Sequence, residues 1–157
     1  MSEILLGVAQ LAIAVAGFSG LLYYFGNTEE FSSVVQLRLD GLISYTAAAA
    51  VFSLIGLVLY INVDEVLAAV ISSGFWFAWT AYYWIRKWSL TIETTRAAGT
   101  LKTLSALVLV SAIVGILQLM NIFHFQTMEM FVIAPVFSLG IAITLFLRNL
   151  GDLRRDT

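Results

Sequence analysis

There is no cysteine in this chain of 157 residues, and it holds one proline, Pro135, and one histidine, His124. The missing cysteines rule out disulfides, thiolate nucleophiles and cysteine-ligated metals. A single histidine would need several carboxylates around it to hold a metal, so no metal site is expected. Charge is scarce too: Asp, Glu, Lys and Arg together make up 11% of the residues. Eight basic side chains are too few for a nucleic-acid footprint. Catalysis needs a nucleophile, a paired acid and base, or a metal. None of these can be assembled from the sequence, so no catalytic residue, no enzyme activity and no cofactor are expected.

What is abundant is apolar length. Hydrophobic residues make up 61% of the chain, gathered in five stretches over residues 4–25, 41–61, 66–85, 101–123 and 130–147. Apart from Lys102 at the edge of the fourth, none holds a charged residue. A bilayer core about 30 Å thick is crossed by about 20 apolar residues rising about 1.5 Å each. All five stretches come close to that length and lack the polar outer face of a soluble bundle helix. The expectation is an all-α membrane protein: a bundle of five transmembrane helices forming a single domain over residues 1–157.

Charge then sets the sides. If the chain alternates across the membrane, Arg38, Arg86, Lys87, Arg96, Lys102, Arg148, Arg154 and Arg155 all fall on one side. Glu3, Asp64, Glu65, Glu129 and His124 fall on the other. Basic residues of short loops stay in the cytoplasm, which predicts the N-terminus outside and the C-terminus cytoplasmic in a multi-pass protein of the cell inner membrane. Tyr23, Tyr24 and Phe25, and then Tyr82, Tyr83, Trp84 and Trp88, end two stretches on the basic side, where aromatic rings favour the headgroup level. Met1-Ser2-Glu3 has no basic residue, unlike the start of a cleaved signal peptide, so the first stretch is expected to remain in the mature protein.

The connections are short. Thr28 followed by Glu29 and Glu30 reads as a helix N-cap with acids in the first turn, so the second helix should begin before its apolar stretch. Residues 62–65 leave room only for a tight antiparallel turn. Residues 88–100 read as a connector on the basic side, 124–129 as an outer turn and 149–157 as a frayed polar tail.

Small residues mark the expected packing faces. Ala9, Ala12, Ala16, Gly17, Ser19 and Gly20 fill the first stretch, leaving Ile4, Val8, Leu11, Val15, Phe18 and Leu22 as a bulky stripe for lipid. That helix is expected to be packed around most of its circumference, against Ala49, Ser53 and Gly56 of the second. Gly17 and Gly20 could instead act as a hinge or pore lining. Polar residues inside spans are the usual pointer to function. Gln10, Gln118, Asn121 and His124 lie at similar outer depth and could form one cluster, as interhelical hydrogen bonds or as a polar vestibule. Ser44, Thr46 and Ser53 are the candidates to line a pore. Pro135 is expected at helix initiation or a mild kink, and Arg38 beside Asp40 is a candidate cytoplasmic contact.

The run Ala9-Gln10-Leu11-Ala12-Ile13-Ala14-Val15-Ala16-Gly17-Phe18-Ser19-Gly20 resembles the opening helix of a group of small bacterial integral membrane proteins with an Ala-rich AGFSG segment. Phe31-Ser32 and Leu37-Arg38-Leu39 are similar to the next segment of that group. The resemblance covers about the first quarter of the chain and implies a bacterial inner-membrane protein without a known activity. An acidic residue often stands in the group where this chain has Gln10, which counts against a proton-linked role there. Two functions are therefore expected in competition. One is a homo-oligomeric assembly in the lipid bilayer with a channel-like role. The other is an accessory or scaffold subunit that binds another membrane protein through its small-residue helix faces.

Overall fold

The computed structural model describes residues 1–25, 33–97 and 101–153. They form five helices: α1 (Ser2–Phe25), α2 (Ser33–Asn62), α3 (Glu65–Ala97), α4 (Leu101–Met120) and α5 (Met128–Leu153). One π-helical turn, Asn121–Phe125, continues α4. There is no strand among the described residues. Five segments are long and apolar enough to cross a membrane: Ser2–Leu21, Leu37–Asn62, Glu65–Trp88, Ala106–Phe125 and Met128–Arg148. The fourth begins at Ala106, which puts Lys102 outside it.

Helices run further than apolarity alone indicates. The stretch from Trp88 to Ala97, expected as a connector, is the last part of α3, because no glycine or proline interrupts the chain between Gly74 and Gly99. The expected frayed tail is likewise helical as far as Leu153. The outer turn shrinks to Gln126 and Thr127, with Gln126 left-handed at φ 53°. Pro135 sits in the interior of α5, well past the first turn, so it does not initiate the helix. The Thr28 cap falls outside the described residues, although α2 does begin eight residues before Gly41.

The turn between α2 and α3 is only Val63 and Asp64, and its chemistry explains its brevity. Asn62 closes α2 by donating its Nδ2 to the Val58 carbonyl at 2.7 Å. Asp64 opens α3 as an N-cap, its Oδ2 accepting the Val66 N–H at 3.1 Å. Two helices so joined must run antiparallel.

Among the described residues α2 touches α1, α3 and α5, α5 touches every other helix, and α1 meets only α2 and α5. Leu5, Ala48, Phe52, Trp76, Met128 and Phe131 form the main core. Trp76 is 0% exposed, and its Nε1 donates to Ser138 Oγ at 3.1 Å, tying α3 to α5. Gly56 is required by packing: a Cβ there would collide with the Phe131 ring. Nearer the other end, Tyr45, Trp79 and Tyr83 pack edge-on and stacked at centroid distances of 5.3–5.8 Å. Lys87 Nζ reaches Asp40 Oδ2 at 3.1 Å just beyond them, and Leu145 packs on Gly41. Those contacts gather Arg38, Arg86, Lys87 and Arg148 at one end of the bundle, as the alternation of charge requires.

Candidate functional site

The expected outer polar cluster divides in two. Gln118 and Asn121 are both 0% exposed, where the end of α4 meets α3 and the start of α5. Asn121 Nδ2 donates to Ser73 Oγ at 2.9 Å and to the Thr127 carbonyl at 3.0 Å, and its Oδ1 accepts the Thr127 N–H at 2.9 Å. Gln118 Nε2 donates to the Met130 carbonyl at 3.0 Å, across from the first turn of α5. This network clamps the tight turn, and of the two amides only Gln118 Oε1 is left buried without a partner among the described residues. Gln10 is on α1, which does not touch α4, and its side chain is exposed. His124 is exposed as well. Neither joins the cluster.

The three hydroxyls expected to line a pore lie on α2, the helix with neighbours on most sides. Thr46 and Ser53 are buried inside the protomer, and Thr46 Oγ1 turns back to the Leu42 and Ile43 carbonyls at 2.7 and 3.0 Å. Ser44 is half-buried, near the Tyr83 hydroxyl. Thr46 and Ser53 are thus enclosed by the protomer's own helices, while Ser44 is partly open. Arg38 is half-buried at the basic end.

Small residues split in the same way. Ala9, Ala12 and Ser19 of α1 and Ala49, Ser53 and Gly56 of α2 are all buried. Ala12 and Ala49 share one cluster with Val8 and Leu139, so the two small faces do meet there. Ala16, Gly17 and Gly20 are exposed, and a Cβ at Gly17 or Gly20 would meet nothing within 4 Å. The expectation that α1 is packed around most of its circumference is therefore corrected. Part of the stripe assigned to lipid is also used inside: Val8 is buried and Val15 packs against the core, while Ile4, Leu11 and Phe18 stay exposed.

At 100° per residue Gln10 and Gly17 stand on the same outward line of α1, flanked by Ile13, Ala14 and Gly20. All five are exposed, and the Gln10 side chain makes no hydrogen bond among the described residues. Gln10 is thus an exposed amide within an apolar span, on a face that also holds Ala14, Gly17 and Gly20.

One concavity has no counterpart in what the sequence leads one to expect. Between α3 and α4 lies a cavity of about 250 Å³, walled by Phe77, Gly115, Ile116 and Leu119 at one end and by Thr80, Trp84 and Ser111 at the other. Thr80 Oγ1, Trp84 Nε1 and Ser111 Oγ are buried without a hydrogen-bond partner among the described residues. The spacing Phe77, Thr80, Ala81, Trp84 is a helical face, and Ser111, Ala112, Gly115 is another. Those periods are legible in the sequence; that the two faces leave a gap is not. No family model, curated protein or solved structure matches the chain.

Proposed function

We propose that this is a non-enzymatic protein of the bacterial inner membrane, N-terminus outside and C-terminus cytoplasmic, that works as a homo-oligomeric scaffold joined through the outer face of α1. The observation that carries this reading is Gln10. It lies about 12 Å into its span, counting about 1.5 Å per residue from Ser2, and points away from the bundle. Hydrocarbon offers an amide no partner. A second copy offers the same amide, which both donates and accepts, so two Gln10 side chains can satisfy each other across a symmetry axis. Gly17, Gly20 and Ala14 let the two backbones approach. The orientation rests on the basic end, which suits the cytoplasmic face.

A channel-like role is the second reading, and Gln10 favours it in an altered form. In a ring of three or more copies, the α1 amides rather than the α2 hydroxyls would face the axis. Native mass spectrometry of the protein released from lipid nanodiscs tests both. The wild type is expected as one closed oligomer, and Gln10→Leu and Gly17→Leu as correctly folded protein with a lower association constant. A dimer favours the scaffold; three or more copies favour the ring. A monomeric wild type, or an oligomer indifferent to both substitutions, overturns the proposal. A reporter fused after Thr157 is expected to read cytoplasmic, and one in the Val63–Asp64 turn external.

A further inference from the structure

We infer that the cavity between α3 and α4 is a binding site for one glycerophospholipid from the leaflet on the basic side of the membrane. The inference rests on the helices spanning a bilayer and is independent of how copies assemble.

The cavity has a direction. Phe77 lies against Gly115, and Asn121 bonds Ser73, so α3 and α4 run antiparallel in a fixed register. That register sets Thr80 level with Ser111, and Trp84 level with Val108 one turn closer to Arg86 and Lys87. Phe77, Gly115, Ile116 and Leu119 continue toward the middle of the membrane with hydrocarbon alone. The donors lie at the headgroup side just beneath the wall, where a small side-chain movement brings them to its surface, and the slot beyond is apolar, the order an amphiphile presents in mirror image. From Val108 to Leu119 the wall is about 16 Å long at about 1.5 Å per residue. Half of a hydrocarbon core of about 30 Å is about 15 Å, so the slot takes an acyl chain in the length of one leaflet. At about 250 Å³ it lies just below the roughly 300–1,000 Å³ of pockets for drug-sized ligands, and suits a single chain.

The polar end supplies the second, independent argument. Ser53 and Ser72, outside the cavity's lining, are also buried without a partner among the described residues; other hydroxyls in the spans close on their own helix: Ser19 on Val15, Thr46 on Leu42, Ser138 on Ala134 and Thr144 on Gly140. Thr80 and Ser111 do not, although both are more than nine-tenths buried, and the Trp84 indole is a donor with nothing to donate to among the described residues. Buried polar groups are ordinarily satisfied. An indole N–H near the membrane boundary needs an acceptor, and the oxygens it meets there are lipid ester carbonyls. A hydroxyl one turn deeper needs only a change of rotamer to donate to the same group. Ester carbonyl at Trp84, with its chain running past Ser111 to Leu119, satisfies the donors and fills the slot together.

The test uses the full-length protein in nanodiscs of phosphatidylethanolamine and phosphatidylglycerol, doped with a phospholipid bearing a diazirine midway along one chain. Labelled residues are mapped by mass spectrometry, and a diazirine-bearing alkane without an ester serves as a parallel probe. The phospholipid is expected to label Phe77 and Gly115, which are wholly or partly enclosed, several-fold above Leu109, Ile113 and Ile116, which are exposed on α4. Gly115→Leu, filling the slot, is expected to abolish that enrichment. Trp84→Phe keeps the ring and removes one donor, so it serves as the milder variant and is expected to lower enrichment about fivefold, one net hydrogen bond's worth. Three results each overturn the inference. The first is even labelling unaffected by either variant, which means annular lipid only. The second is equal enrichment of the alkane, which means an apolar gap without recognition of the ester. The third is capture of a second copy of the chain in place of the lipid.

Discussion

On α2, Ala49, Ser53 and Gly56 are shut against neighbouring helices, and Gly56 is so close to Phe131 that no side chain fits. On α1, Ala16, Gly17 and Gly20 are open, and at the two glycines there is free space where a side chain would go. Composition does not distinguish the two runs. Position does: α2 lies in the middle of the bundle, whereas α1 is at its margin with neighbours on one side. The intramembrane amides repeat the contrast. Asn121 has its hydrogen bonds made within the chain, and Gln10 has none among the described residues. Small and polar residues of apolar helices thus stand both shut inside the protomer and open on its surface, and α1 alone holds both kinds.

Paired substitutions measure that difference. Gly56→Leu should cause the largest loss, at or above the top of the roughly 1–3 kcal/mol usual for overpacking, because the Phe131 ring it strikes is itself enclosed. Gly17→Leu should leave protomer stability unchanged in the same denaturant titration. Equal losses would erase the distinction between closed and open faces. Next, Asn121→Leu strands the Thr127 N–H and the Ser73 hydroxyl, and should cost about 1–3 kcal/mol of protomer stability. Gln10→Leu should cost nothing there. Its effect should fall on association alone, about 0.6–2 kcal/mol per contact by sedimentation or native mass spectrometry. The smallest effect belongs to the Lys87–Asp40 pair, where both side chains reach water. Lys87→Met should cost about 0.2–1 kcal/mol and progressively less as salt is raised.

Five helices, their approximate positions and their antiparallel order are legible in the sequence because apolar length and short connections leave few alternatives. Ends are less so. Residues 89–97 are helical in spite of their polarity, since no glycine or proline interrupts them and a helix tolerates charge, and 149–153 stay helical even across Gly151. The Asp64 cap is readable from Asn-Val-Asp-Glu in principle, whereas the spacing by itself shows no more than a tight turn. Gln118 and Asn121 can be placed at one depth from helix rise. Gln10 cannot be separated from them, because depth along a helix says nothing about which helices touch. The α2 hydroxyls fail for a related reason: a periodic polar face is the same whether it meets water, lipid or Phe131. Rotation about the helix axis is the quantity a sequence withholds.

Trp76 gives that rotation an optical handle. Its indole is fully enclosed and shares its hydrogen with a hydroxyl on another helix, whereas Trp88 at the basic end is nearly half exposed. Emission from an indole held that way is set by the seam between α3 and α5 and hardly by the surrounding lipid. In a chain reduced to Trp76 alone, fluorescence would report the separation of these two helices directly, without an added dye, and independently of whatever happens along α1.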